Sequence, residues 1–173
     1  ALRLRGIGDV HWIDAAQRGD VAALMARCAE LARVPVAGVL NLPAPRAPPI
    51  ADQGGVDAWR RALWLGEQCF FVALHELSAA LLDGAHVLAA TDLGGLYGRD
   101  GTAVGGALRL VGGSVGALKS LAEERPSLRI KAVDLDPARS AADQAADLLA
   151  ELELEGGRQE VGYPAGRRTI FVS

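Results

Sequence analysis

The spacing of apolar residues changes several times along this chain, and each change predicts a switch between helix and strand. Between Asp20, a candidate N-cap, and Pro35, apolar side chains at positions 21, 24, 25, 28 and 31 share one helical face. This pattern predicts a helix that ends near Arg33, before the proline. Three further helical patterns follow, at about residues 57–82, 105–124 and 136–155.

Two of these helical patterns carry additional signals. The pattern at residues 57–82, which Gly84 ends, is apolar around most of its circumference and includes Trp59 and Phe71. We therefore expect this helix to be largely buried. The pattern at residues 136–155 begins with Asp136-Pro137, an N-cap followed by proline at the first helical position.

Short apolar runs between the helical patterns predict strands. They cover residues 36–42, 85–91 and 128–135, and two shorter runs, 159–163 and 167–172, flank a turn and predict a β-hairpin. The opening residues 1–14 have an extended pattern, and His11–Asp14 is expected to end a buried strand. The order β-α-β-α-β-α-β-α-β-β predicts one α/β domain over residues 1–173, with helices on both faces of a parallel sheet.

Composition and charge exclude several classes of protein. Apolar residues make up 50% of the 173 positions, and a net charge of -3 favours neither nucleic acid nor an anionic membrane as a partner. No uncharged stretch approaches the roughly 18 residues of a membrane helix, and no signal peptide is evident, so we expect a cytoplasmic protein. Cys28 and Cys69 lie in apolar helical patterns and are expected to be reduced, buried thiols.

The second half of the chain resembles a known family. One helix pattern ends in Leu121-Ala-Glu-Glu-Arg-Pro126, and the strand after it ends in Asp134-Leu-Asp136. Near the end of the chain, Glu160-Val-Gly-Tyr163 and a turn precede Gly166-Arg-Arg168. These motifs resemble the structural subdomain of the ketoreductase region of type I polyketide synthases. The resemblance covers about residues 10–172 and is most specific from Gly112 onward.

Two glycine-rich stretches refine this resemblance. Gly94-Gly-Leu-Tyr-Gly98 and Gly105-Gly-Ala107 are similar to the versions in iterative synthases of the enediyne and polyunsaturated-fatty-acid type. In that family the ketoreductase region has two halves, each with a Rossmann-like, short-chain dehydrogenase/reductase-like fold. The first half is truncated and binds no NADPH, and it braces the second half, which binds NADPH and reduces a β-keto group.

The resemblance implies that this chain is the truncated, non-catalytic half. It would then hold no catalytic, cofactor-binding or metal-binding residues, while the parent multienzyme carries out β-ketoacyl reduction. The implied partners are the catalytic ketoreductase subdomain of the same polypeptide and, in addition, an acyl carrier protein. A chain that starts without Met and ends directly after a strand pattern also fits a piece of a longer, multidomain protein.

The residues that a reductase needs are missing from the pattern. Gly6-Ile-Gly8 is the nearest match to a phosphate-binding glycine turn, but an extended pattern follows it instead of a helix. The family's active members use a Tyr as proton donor, a Lys four residues later, and a Ser just past the preceding strand. Here Thr91-Asp92 takes the Ser place, whereas the Tyr and Lys places fall near Val111 and Val115.

Other candidate residues have simpler interpretations. Tyr97 and Lys119 are too far apart to share one helical face, so we interpret them as a loop anchor and a solvated helix residue. Ser114 lacks the strand–turn–helix context of a hydrolase nucleophile and is interpreted as a packing residue. The histidines, at positions 11, 75 and 86, lack the spacing of metal ligands.

Charged residues leave two alternatives open. Asp134 and Asp136 flank a strand end and suggest paired carboxylates, but Asp136 already has the capping role described above. The pairs Arg60-Arg61 and Arg167-Arg168 and the acidic residues 151, 153 and 155 are most simply solvated, and they could equally meet a neighbouring domain.

Three hypotheses follow. The leading one is a structural subdomain that binds no NADPH alone and exposes an apolar patch, near the terminal strands, for its missing half. The second is an active NADPH-dependent ketoreductase fragment whose catalytic residues are displaced from the aligned places. The third is a docking module for an acyl carrier protein or a small molecule, using the loops at residues 43–55 and 92–102. NADPH titration separates the first two, and a ligand between the loops would favour the third.

Overall fold

Helices and strands alternate in the computed structural model, which describes residues 9–14, 21–42, 55–99, 112–154, 156 and 159–171. The helices are α1 (Val21–Leu31), α2 (Gly55–Leu63), α3 (Cys69–Leu77), α4 (Gly113–Glu124) and α5 (Ala141–Glu153). A π-helical turn, Trp64–Gln68, joins α2 to α3. The strands are β1 (Val36–Asn41), β2 (Leu81–Thr91), β3 (Arg129–Leu135), β4 (Gln159–Tyr163) and β5 (Thr169–Phe171).

The five strands form one sheet in the order β1-β2-β3-β4-β5. Neighbouring strands from β1 to β4 are parallel, and β5 pairs antiparallel with β4. The predicted α/β class, with a parallel sheet and a C-terminal hairpin, is therefore confirmed. Among the strands that the structure describes, the order follows the chain without a reversal. This matters for ligand binding because doubly wound sheets bind ligands where the order reverses.

Alternate residues of the central strands enter two separate cores. Val87 and Ala89 of β2 pack with Leu118 of α4 and with α3 on one face. Leu88 and Ala90 pack on the other face, where Leu148 and Leu152 of α5 cover them. A third cluster joins α1 to α3 through Leu24, Cys28, Cys69 and Leu77. Helices thus cover both faces, as the period-two pattern of the strands requires.

The helix predicted at residues 57–82 ends earlier than its apolar pattern suggests. α3 stops at Leu77, and a short 3-10 turn, Ser78–Ala80, leads directly into β2. Leu81 pairs with Val36 of β1, so a tertiary contact overrides the local helical pattern at residues 81–82. The expected burial is also only partial, because the side chains of Trp59 and Phe71 are 43% and 63% exposed.

Two other predictions about element boundaries are wrong. α5 begins at Ala141, and its N-cap is Ser140, whose hydroxyl accepts a hydrogen bond from the Asp143 N–H. Asp136 instead accepts from the Ala138 N–H at 2.9 Å in a turn that delays the helix. Residues 9–14 form no strand, and His11 and Trp12 are exposed, which contradicts the buried strand end expected there.

Both cysteines match their prediction, because Cys28 and Cys69 are buried, free thiols. Burial raises the pKa of each thiol. Among the helices of the described ranges, none is both long enough and apolar enough to cross a membrane.

Candidate functional site at the carboxyl edge of the sheet

A fully buried carboxylate organises the carboxyl ends of β2 and β3. Asp134 of β3 accepts a hydrogen bond from the Thr91 hydroxyl at 2.5 Å and from the Leu93 N–H at 2.7 Å. Its second oxygen accepts from the Tyr97 N–H at 2.8 Å. Hydrogen bonds to a charged acceptor are the stronger ones in proteins, so this carboxylate fixes the loop that follows β2. We call residues 92–99 the β2 loop.

The β2 loop is held from its other side by β4 and β5. The Tyr97 hydroxyl donates to the Val161 carbonyl at 3.1 Å, and its ring meets Phe171 edge to face at 5.4 Å between centroids. Burial raises the pKa of Tyr97, and Asp134 and Glu160 raise it further. The prediction that Tyr97 is a loop anchor is confirmed, since its proton is engaged and hard to remove.

Two glycines allow the β2 loop to lie directly on β4. A Cβ on Gly162 would fall 1.8 Å from the Gly95 carbonyl oxygen, and Gly95 itself has a φ of +82°. Only residues without a side chain permit this backbone contact. The chain's own loop therefore occupies the carboxyl ends of β3 and β4, on the edge of an α/β sheet where ligands usually bind.

Thr91-Asp92, which the resemblance aligns with the Ser of the family's active members, is buried. Thr91 is 2% exposed, and its hydroxyl donates to Asp134. Val115, near the expected Lys place, packs against the core beneath α4. Val111, at the Tyr place, and the glycines at positions 6 and 8 lie outside the described residues.

The N-terminus of α4 faces a second buried carboxyl group. Glu67 lies in the π-helical turn, and a Cβ on Gly113 would fall 2.7 Å from its Oε2 atom. Within the described part of the chain, neither carboxyl oxygen has a partner of good hydrogen-bond geometry, nor has Trp64 Nε1. Burial raises the pKa of Glu67, and the nearby N–H groups of Gly113 and Ser114 offset this only in part. Glu67 thus meets the positive end of α4, where a negative charge is favourable.

The remaining candidates take structural places. Ser114 is 3% exposed, which confirms its interpretation as a packing residue. Lys119 is half-exposed and forms an ion pair with Glu160. Asp134 and Asp136 do not form a pair, because Asp136 accepts hydrogen bonds from the N–H groups of Ala138 and Ala165. Among the described residues, no three His, Cys, Asp or Glu side chains are grouped as metal ligands.

The sequence interpretation missed a buried charge network. Glu151 of α5, predicted to be solvated, is 0% exposed and lies 2.9 Å from Lys131 Nζ. It also accepts hydrogen bonds from the Tyr163 hydroxyl at 2.6 Å and from Arg168 Nε at 2.5 Å. The available signal was Lys131 itself, because a lysine inside an apolar strand needs a buried partner.

This network joins β3, α5, β4 and the hairpin turn. Burial alone would raise the pKa of Glu151, but hydrogen bonds from Arg168, Tyr163 and Lys131 outweigh it and lower the pKa to about 2. Burial and the same carboxylate raise the pKa of Tyr163. The four side chains therefore hold these elements together, with Glu151, Lys131 and Tyr163 buried and Arg168 partly exposed.

Large apolar side chains are exposed at several places in the described ranges. Ile170 of β5 is 47% exposed, and the others lie on helices, at the start of β2 and in the segments between elements: Trp12, Val21, Met25, Val34, Leu42, Val56, Trp59, Phe71, Leu82 and Leu154. The patch expected near the terminal strands stays a prediction, because residues 157, 158, 172 and 173 beside those strands lie outside the described ranges.

Comparison with solved structures places this geometry in a fold class. The chain superposes on a small-chain dehydrogenase with a TM-score of 0.61 at 16% identity, covering 91% of this chain and 79% of that one. A blue fluorescent protein from a metagenomic library, solved in complex with NADPH, gives a TM-score of 0.62 at 17% identity, covering 87% and 73%. A mutant short-chain dehydrogenase/reductase from Serratia marcescens gives 0.54 at 18% identity, covering 91% and 71%.

These likenesses establish a Rossmann-like fold of the short-chain dehydrogenase/reductase type. No family model matches the sequence, and no curated protein matches it. At such low identity the structures share the fold alone, so the chemistry must be argued from the residues of this chain. This chain covers between 71% and 79% of the length of each of the three solved chains.

Proposed function

We propose that this chain is a non-catalytic structural subdomain that braces the NADPH-dependent catalytic half of a ketoreductase region. The resemblance to type I polyketide synthases names the multienzyme, whose place would be the cytoplasm. The two halves would belong to one polypeptide, with an acyl carrier protein as a further partner.

The closed carboxyl edge carries this proposal. A reductase needs an open crevice there for the nicotinamide and the ketone. In this chain the β2 loop is fastened to Asp134 by two backbone N–H groups and lies against Gly162. Opening it would break charge-assisted hydrogen bonds and leave a buried carboxylate unsatisfied, a cost of several kcal/mol. Val115, near the expected Lys place, is partly buried against the core and supports the same proposal.

NADPH titration of the chain, followed by cofactor fluorescence, tests the non-catalytic part. We expect no saturable change up to millimolar NADPH. Micromolar binding would refute the proposal and favour the alternative, an active reductase with displaced catalytic residues. One structural neighbour was solved in complex with NADPH, which is why this alternative is tested.

The bracing part needs a second measurement. The ketoreductase half is assayed for NADPH oxidation with a β-ketoacyl substrate, in the natural polypeptide and after deletion of this chain. We expect the deletion to lower the activity or the melting temperature of the catalytic half. Unchanged activity and stability would refute the bracing role.

A further inference from the structure

The short strand β5 connects two parts of the structure. Just before it, the Arg168 guanidinium donates to both oxygens of the buried Glu151 carboxylate, from Nε at 2.5 Å and from Nη2 at 3.1 Å. At its end, the Phe171 ring meets the Tyr97 ring edge to face at 5.4 Å between centroids. A strand of three residues therefore connects α5, which carries Glu151, with the β2 loop, which carries Tyr97.

The alternation of side chains along β5 gives its last two residues different surroundings. In the antiparallel pair, Phe171 lies opposite Glu160, and Ile170 lies opposite Val161. Phe171 approaches Gly162, since a Cβ on Gly162 would fall 2.9 Å from its ring. Val161 belongs to the core beneath α5. Because successive side chains of a strand point to opposite faces, Phe171 is on the face of the β2 loop and Ile170 is on the face of α5.

The second half of the β2 loop, residues 97–99, is held partly by Phe171. Tyr97 has a φ of +52°, and a residue with a side chain keeps such a backbone conformation only where its surroundings hold it. Asp134 accepts the Tyr97 N–H, while the Tyr97 ring packs on Phe171. The Arg99 guanidinium also lies over the Phe171 ring, 4.7 Å from its centroid. One aromatic side chain of β5 thus contacts both Tyr97 and Arg99.

The first half of the β2 loop is held by hydrogen bonds to β3. The Leu93 N–H donates to the Asp134 carboxylate at 2.7 Å, and the Gly94 N–H donates to the Leu135 carbonyl at 3.2 Å. Neither of these bonds involves β5. We therefore expect the two halves of the loop to respond differently to a change in β5.

We propose that β5, together with Arg168 before it, is a strap that holds residues 97–99 on the carboxyl edge and couples them to the buried Glu151 network. Loosening the strap at Arg168 frees Phe171 at its other end, and the strained Tyr97 backbone then relaxes away from the edge. The inference goes beyond the bracing role, because it concerns how the chain's own loop is held and needs no catalytic partner. NADPH binding and bracing are measured separately, so a failure of the strap is distinguishable from a failure of the proposed function.

Amide hydrogen exchange of the β2 loop, measured by NMR on the 173-residue chain, tests the strap. Phe171→Leu keeps an apolar side chain at the end of β5 and removes the aromatic ring. Loss of an aromatic pair and a cation–π contact should speed the exchange of the Tyr97 and Arg99 amides about tenfold. The Leu93 and Gly94 amides should exchange as in the wild type. Unchanged exchange at Tyr97 and Arg99, or an equal increase at all four amides, would overturn the proposal.

The coupling is tested at the other end of the strap. Arg168→Met removes the two hydrogen bonds to Glu151 and leaves Phe171 in place. We expect the amides of residues 97–99 to exchange faster by about threefold or more. Arg167→Met is the matched control, because Arg167 is the neighbouring residue and is exposed. If both variants exchange alike in residues 97–99, the coupling is absent and the proposal is wrong.

Two further controls detect general unfolding. Ile170→Ala shortens a side chain on the same strand, but Ile170 is 47% exposed and lies on the opposite face, so residues 97–99 should exchange as in the wild type. The amides of β3, the middle strand of the sheet, should keep their protection in every variant. Equal acceleration of the β2 loop and of β3 would contradict the proposal, because the whole sheet would then open instead of the strap.

Discussion

Replacing Glu151 with Gln should destabilise the protein by several kcal/mol at neutral pH. The carboxylate is 0% exposed and receives hydrogen bonds from Lys131, Tyr163 and Arg168. An amide cannot balance the buried ammonium of Lys131. Removing one partner of a buried charge pair costs about 3–5 kcal/mol, because the other charge stays buried without compensation.

The pKa of Glu151 gives a second estimate of how much this carboxylate stabilises the fold. Its value falls from an ordinary 4.5 to about 2 in the folded protein. At about 1.4 kcal/mol for each pKa unit, the carboxylate adds roughly 3 kcal/mol of stability at pH 7. Because the folded-state pKa is the lower one, this contribution is present above pH 4.5 and is lost as the pH falls toward 2. About 2 kcal/mol should disappear between pH 7 and pH 3.

Urea unfolding at pH 7 and pH 3 measures both quantities. We expect Glu151→Gln to be less stable at pH 7 and to lose about 2 kcal/mol less than the wild type on acidification. Glu153→Gln is the matched control, since Glu153 lies on the same helix and is exposed. The reasoning is refuted if the free energy of unfolding of Glu151→Gln at pH 7 lies within about 1 kcal/mol of the wild-type value, which is roughly the precision of such extrapolations.

Three further outcomes test other parts of the structure. Gly162→Ala should lower the melting temperature markedly, because the new Cβ would fall 1.8 Å from a backbone oxygen of the β2 loop. Gly116→Ala in α4 is the control: its Cβ would meet nothing within 4 Å, so the melting temperature should stay unchanged or rise. Asp134→Asn should lower the free energy of unfolding by about 2–4 kcal/mol and expose residues 92–99 to proteolysis, since an amide cannot accept from all three donors. A β2 loop that still resists proteolysis would contradict the anchoring role of Asp134. Lys119→Met should change the free energy of unfolding by less than about 1 kcal/mol, because its ion pair with Glu160 is half-exposed, and a larger loss would argue for a hidden structural role.

Local patterns predicted the elements whose signals are concentrated in a few consecutive residues. β1, β3 and the terminal hairpin lie where the apolar runs place them, and α1 spans its amphipathic pattern. One boundary failed because a distant segment competes with a local preference, and another because a local turn at Asp136 delays α5. Residues 81–82 continue a helical pattern but extend β2, since Leu81 pairs with Val36, which is 45 positions away (81 less 36).

Some features of the candidate site could likewise be predicted from the sequence, and others could not. The sequence predicts an apolar residue near the family's Lys place, at Val115, and a side chain that has no ionisable group cannot do the work of that Lys. The closure of the site could not be predicted. It depends on Asp134 meeting the N–H groups of Leu93 and Tyr97, and on two glycines from separate segments meeting backbone to backbone.

The sequence by itself determined the alternation of strands and helices and the apolar faces that form two cores. Only the tertiary structure decided which charges are buried. Glu151 and Arg168 look like solvent-facing residues along the chain, yet they surround Lys131 once α5 and the hairpin pack on β3. The reason is physical: helix and strand periods are set by neighbours along the chain, whereas the partner of a buried charge is chosen by the packing of elements far apart in sequence.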